Sequence, residues 1–212
     1  MTFKYLCSCA KNNFIEKEFS YWENKNTTSD ENEVIKFIEN LNINHASFLH
    51  IGIGNSKFAN YFSDKGNITG ITISKKEILK AKSLNLINYN VLLCDKYSLN
   101  FKSLLKKKKF DLIVDTNLKS YCCCQKSFSF FMHNLVKLLN YKGIIITSRR
   151  GMSWYKNLKP KLSFNFKNFF HYKLKEYEGN KDNIFTLEEA NNLSNSLSLK
   201  LFTDKNILTF SK

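Results

Sequence analysis

Phe48-Leu49-His50-Ile51-Gly52-Ile53-Gly54-Asn55-Ser56 is an apolar run that feeds a Gly-x-Gly turn. A short amphipathic stretch follows at 57–63. A second apolar run comes next, Ile68-Thr69-Gly70-Ile71-Thr72-Ile73-Ser74, ending in small polar residues. Strand, glycine turn, helix, strand is the opening of a nucleotide-binding βαβ unit. Residues without Cβ let the backbone turn tightly and approach a ligand. No third glycine follows in Asn55-Ser56-Lys57, and no Lys-Ser/Thr pair follows a second glycine. A dinucleotide fingerprint and a P-loop are both excluded, so neither NAD nor ATP is the expected ligand.

The rest of the chain continues the rhythm. A helix is expected from Ser29 or Asp30, with Glu31 and Glu33 in its first turn and Val34, Phe37, Ile38 and Leu41 on one face. Strands are expected at 46–51, 68–73, 90–94, 110–115 and 143–148. Helices are expected between them at 56–63, 75–84, 98–107 and 126–140. Strands alternating with helices predict a mostly parallel sheet wound by right-handed crossovers. Beyond 148 the rhythm breaks into an aromatic-rich stretch, 151–185, that includes His171. Thr186 with Glu189 forms a capping box opening a helix to about 196. The last two apolar runs, 198–203 and 206–210, read as a hairpin turning at Asp204-Lys205. The chain is expected to be one domain over 1–212, with an N-terminal segment at 1–28 and the aromatic insert at 151–185.

Composition narrows the class. At 212 residues with 43% hydrophobic content the chain is long enough for a full core. It has no membrane-length apolar run and no secretory-type apolar stretch at its start, which points to a cytoplasmic protein. The net charge is +15, yet only Arg149 and Arg150 among the 33 basic residues are arginine. A phosphate reader usually carries arginine forks, so nucleic acid is not the favoured partner. The six cysteines are Cys7, Cys9, Cys94, Cys122, Cys123 and Cys124, without a C-x-x-C pair. Three adjacent thiols cannot all converge on one tetrahedral ion, so free thiols in a reducing compartment are expected and no metal site.

The segment GIGNSKFANYFSDKGNITGITIS resembles motifs I and II of the class I S-adenosylmethionine-dependent methyltransferases, in the branch whose first motif reads GxGNS. That branch includes protein-lysine methyltransferases. The resemblance spans residues 21–148 of 212, from Tyr21-Trp22 onward. It implies a three-layer, Rossmann-like α/β fold. The implied sheet is seven-stranded, of order 3-2-1-4-5-7-6, with an antiparallel terminal hairpin. The implied reaction is methyl transfer from S-adenosylmethionine to an oxygen or nitrogen of an unknown small-molecule or protein acceptor. A methyltransferase fold without turnover and, less favoured, an RNA methyltransferase are the alternatives.

Candidate cofactor residues follow. Gly52 and Gly54 would let the loop pass under the cofactor, while Asn55 and Ser56 cap the next helix and offer polar groups. Thr72 and Ile73 close the second strand where relatives carry an acid for the ribose. GITISKKE also resembles cyclopropane-fatty-acid-synthase-like sequences, with Glu77 in their glutamine position. Glu77 reads either as a ribose acceptor or as a solvated helix charge. Asp95 would reach the adenine amine and the Lys96 amide the ring. His50 stands where the family usually has an acid that fixes the methionine ammonium, and a charged imidazole there would oppose it. FDLIVDTNLKSY resembles the family's motif after strand 4, which makes Asp115, Asn117 and Tyr121 candidates for orienting an acceptor. Arg149 and Arg150 either clamp an anionic acceptor or face solvent.

Overall fold

The computed structural model describes residues 4–9, 27–105, 107–151 and 184–212. Tyr21-Trp22 and most of the aromatic stretch, His171 included, fall outside them. Helix α1 (Ser29–Glu39) precedes β1 (Ala46–Ile51), α2 (Lys57–Phe62), β2 (Gly66–Thr72), α3 (Lys75–Ser83), β3 (Tyr89–Leu93), α4 (Leu99–Leu105) and β4 (Phe110–Val114). Then come α5 (Gln125–Leu138), β5 (Leu139–Ser148), α6 (Leu187–Ser196), β6 (Lys200–Asp204) and β7 (Ile207–Ser211). The strands form one seven-stranded sheet of order β3-β2-β1-β4-β5-β7-β6, parallel except for β7, which runs antiparallel to β5 and β6. This is the architecture that the sequence implied.

The period-2 alternation of β1 divides the core. Phe48 packs with Val34, Ile35 and Ile38 of α1 and Phe58 and Phe62 of α2 on one face. Leu49 and Ile51 pack on the other face with Tyr97, Phe101 of α4, Phe131 and Leu135 of α5, and Leu193 of α6. Helices on both faces bury the central strands β1 and β4, while the edge strand β3 stays partly exposed. His50 shares its parity with Phe48 and is therefore committed to the α1–α2 face.

Some boundaries differ from expectation. Thr28, not Ser29 or Asp30, caps α1, its side chain accepting from the Glu31 N–H at 3.2 Å. Asp30 is thereby drawn inward and is buried. Strand β5 begins at Leu139, four residues before Gly143, because Leu139 pairs with Phe110 ahead of an irregularity in the ladder. The terminal turn is Lys205-Asn206, one residue later than expected, since Asp204 still pairs with Ile207. That turn has a task. The Asn206 amide donates to Asp30 at 2.8 Å, Glu33 at 3.0 Å and Ser148 at 3.0 Å. Arg150 reaches the same two α1 carboxylates at 3.0 Å and 2.6 Å. Arg150 thus ties α1 to the sheet and is not an anion clamp.

Candidate functional site

Beyond the carboxyl ends of β1 to β4 lies a cleft open to solvent. Open α/β sheets bind their ligands in this position. The cleft begins at the turn after β1. Gly52 has φ +78° and Gly54 φ +49°, a region that L side chains rarely adopt. A Cβ built on either glycine meets no atom within 4 Å, so the space above the turn is the cleft itself. Asn55 also lines it, and its Oδ1 accepts from the Lys57 N–H at 3.1 Å, capping α2.

Ser56 was expected to share that role, and the structure places it elsewhere. It is fully buried in the left-handed region at φ 62°, makes no side-chain cap bond, and meets the Tyr89 hydroxyl at 3.0 Å. His50 is not on the cleft surface either. Its ring stacks 4.5 Å from that of Phe58, fully buried, and neither ring nitrogen has a hydrogen-bond partner. Burial pulls its pKa down to about 3, so the imidazole is neutral wherever the protein is folded. The Glu31 carboxylate lies 3.9 Å from its Nε2. That distance is beyond hydrogen bonding, and with a neutral imidazole the two are neighbours rather than an ion pair. The expected clash between a charged His50 and a ligand ammonium therefore does not arise.

Glu31 takes the place in the cleft that His50 vacates. It arrives from the first turn of α1, bonded to the Thr27 hydroxyl and the Phe58 backbone, while its Oε1 has no partner. Burial raises its pKa. The sequence signal was present, an acid in the first turn of a helix, but nothing local says that this turn faces the end of β1.

Thr72, Ile73 and Glu77 all line the cleft after β2. The Thr72 hydroxyl donates to Glu77 Oε2 at 2.5 Å and accepts from the Ser74 N–H at 3.0 Å. Burial pushes the Glu77 pKa up to about 7, against the hydrogen bonds from Thr72 and the Gly54 N–H. Glu77 is therefore held inward and is not a solvated helix charge.

Asp95 and Lys96 line the far wall. Asp95 accepts from the Tyr97 N–H at 2.9 Å and from the Tyr5 hydroxyl at 3.0 Å. The Lys96 ammonium is buried, donating to Asp115 at 2.7 Å and to the Asn117 carbonyl at 2.7 Å. The other Asp115 oxygen takes the Asn117 N–H at 3.0 Å. Asp115 thus has both oxygens engaged in shaping its own loop. Breaking a buried pair of this kind costs about 3–5 kcal/mol. Asn117 and Tyr121 complete the lining, Asn117 with an unpartnered Oδ1 and Tyr121 at φ 59°. A bulky residue held in that region is unusual and fixes where its side chain enters the cleft.

Four acids, Glu31, Glu77, Asp95 and Asp115, and one lysine, Lys96, thus line the cleft among the described residues. The site is acidic inside a chain of net charge +15. No helix among the described residues is long and apolar enough to cross a membrane.

No family model matches the sequence, and no curated protein matches it as a relative. Solved structures do match the fold. The N-methyltransferase NodS of Bradyrhizobium japonicum, in complex with S-adenosyl-L-homocysteine, superposes with a TM-score of 0.59 at 14% identity, over 92% of this chain and 95% of that one. A TehB-like SAM-dependent methyltransferase of Corynebacterium glutamicum gives 0.57 at 14% identity, over 89% and 90%. The [4+2]-cyclase SpnF gives 0.54 at 14% identity, over 86% and 63%. The chain therefore has the class I methyltransferase fold, on which chemistry other than methyl transfer also occurs.

Proposed function

We propose that the protein is an S-adenosylmethionine-dependent methyltransferase acting on an oxygen or nitrogen of a small-molecule or protein acceptor. One observation carries this reading: a strongly basic chain presents an acidic cleft at its glycine turn. An acidic cleft repels the phosphates of NAD, ATP or RNA and attracts a ligand bearing an ammonium and a sulfonium. Burial raises the pKa of Glu31 and of Glu77, with the Glu31 charge a minor contribution at Glu77. A cationic ligand beside them favours their ionised forms.

The residues fit the cofactor. The backbone at Gly52 and Gly54 would lie under its methionine and ribose. The unpartnered Oε1 of Glu31 would take the ammonium, in place of the acid that the resembled family carries at position 50. Glu77 would accept from the ribose hydroxyls. Asp95 and the Lys96 amide would hold the adenine end. When bound, the cofactor supplies an electrophilic methyl group, so the protein's work is to bind, orient and exclude water. The Asn117 Oδ1 is free to orient an acceptor N–H or O–H. Asp115 holds the loop that carries Asn117, one oxygen on the Lys96 ammonium and the other on the Asn117 N–H.

Calorimetric titration with S-adenosylmethionine tests the reading and its sign. Binding a cation favours the ionised carboxylates, so affinity should rise between about pH 6 and about pH 8 and then level off. Glu31→Gln removes a charge-assisted bond worth about 1.5–3 kcal/mol and should weaken binding roughly 10- to 100-fold. Saturable NAD binding with no binding of S-adenosylmethionine would overturn the proposal.

A further inference from the structure

Four of the six cysteines meet in space from two distant parts of the chain. Cys7 and Cys9 belong to the stretch 4–9, and Cys123 and Cys124 to the loop leading into α5. Their Sγ atoms all lie within 4.8 Å of one another. Cys7 and Cys123 are 3.0 Å apart, Cys9 and Cys7 3.2 Å, Cys9 and Cys123 3.5 Å, and Cys123 and Cys124 3.7 Å. Disulfide sulfurs stand about 2.05 Å apart, so none of these pairs is bonded. Zinc–sulfur bonds of about 2.3 Å in a tetrahedron place ligand sulfurs roughly 3.8 Å apart. Four of the six separations run from 3.0 to 3.7 Å and all six lie within 4.8 Å, close enough for small shifts to close on one ion.

We propose that Cys7, Cys9, Cys123 and Cys124 form a structural tetrathiolate site for one zinc ion. The two cysteines left out are as informative as the four included. Cys122 Sγ turns back to the Cys124 carbonyl at 3.2 Å, and Cys94 is buried beside Ser98. The adjacent thiols therefore do not all converge, which removes the objection that the triplet raised. Two neighbours, Cys123 and Cys124, suffice because the Cys7-x-Cys9 pair supplies the other half. Thiols are weak hydrogen-bonding partners and give one another little reason to gather. A soft divalent ion gives them one.

The surroundings suit thiolates. Cys124 is the N-cap residue of α5, where the helix dipole favours negative charge. The Ser127 hydroxyl, one turn into the helix, lies 3.0 Å from Cys7 and 3.1 Å from Cys123, within reach as an outer-shell donor. On binding, the four thiols release their protons to solvent and zinc exchanges its waters for four sulfurs, without a change of oxidation state. The ion would fasten the stretch 4–9, which also touches the body through the Tyr5–Asp95 bond, the Leu99 N–H to Lys4 carbonyl bond and the Tyr5–Ser98 bridge.

The test is metal analysis of the full chain purified under reducing conditions, then cobalt(II) titration of the chelator-stripped protein. About one zinc per chain is expected, together with the visible absorption of tetrahedral tetrathiolate cobalt. The double variant Cys7→Ser/Cys9→Ser should lose both signals while circular dichroism retains the α/β spectrum. Cys122→Ser should keep both. Reduced wild-type protein that holds no zinc and gives no tetrathiolate cobalt spectrum would overturn the site. So would loss of metal in Cys122→Ser equal to that in the double variant, or iron in place of zinc. None of these outcomes depends on whether S-adenosylmethionine binds.

Discussion

Replacing His50 with phenylalanine is expected to stabilise the protein by about 1–3 kcal/mol at neutral pH and by more in mild acid. The imidazole is fully buried and stacks on Phe58, and both of its nitrogens lack partners. A buried polar atom without a hydrogen bond costs about 1–3 kcal/mol, and a phenyl ring removes two such atoms. Its extra volume takes back part of the gain. The acid effect follows from the pKa, lowered by burial to about 3. The folded value lies below the unfolded one of about 6.5, so the unfolded chain binds a proton that the folded chain refuses. Stability is thus fully present above pH ~6.5 and is lost as pH falls toward 3, by roughly 1.4 kcal/mol per unit. Urea unfolding of wild type and His50→Phe at about pH 7 and about pH 5 measures both effects. The advantage of the variant should widen by ~2 kcal/mol between the two conditions. A variant that is less stable at both, with no widening, would show that His50 has a partner worth keeping.

Gly54→Val is expected to abolish binding of S-adenosylmethionine and leave the sheet intact. The glycine sits at φ +49°, and a Cβ there points into open cleft rather than into protein. The fold therefore loses only the cost of a β-branched residue in the left-handed region, of the order of 1–3 kcal/mol. The ligand loses the space it must occupy. Gly54→Asn tolerates the backbone better and separates the two effects: it should melt close to wild type and still bind at least tenfold more weakly. Wild-type affinity in a folded Gly54→Val protein would mean that no ligand lies over this turn.

What the sequence made legible was whatever is encoded locally. Alternating apolar runs and glycine turns marked β1, β2, β4 and β5, and the Thr186–Glu189 capping box marked α6. Gly52, Gly54, Asn55, Thr72, Ile73, Glu77, Asp95, Lys96, Asp115, Asn117 and Tyr121 were all named from motifs, and all line one cleft. What stayed hidden depends on packing between distant segments. Ser56 looks like a cap, but its left-handed backbone turns the hydroxyl toward Tyr89. Position 50 looked like a ligand contact, but α1 covers it and brings its own acid, Glu31, to the gap. Counting cysteines along the chain revealed no metal spacing, because the two halves of the cluster lie more than 110 residues apart.

The Asn206 clamp sets an order of assembly. Its partner Asp30 lies 176 residues earlier, and β7 must insert between β5 and β6 before the amide can reach it. Contacts of such long range form late, after shorter loops have closed. On a ribosome, the strands β1 to β4 and the glycine turn are made long before Asn206. A nascent chain stopped short of β7 would thus own most of its cleft while α1, packed on Phe48 and held by Arg150, still lacked the Asn206 amide. The clamp is therefore a late restraint on the helix that carries Glu31 into the cleft.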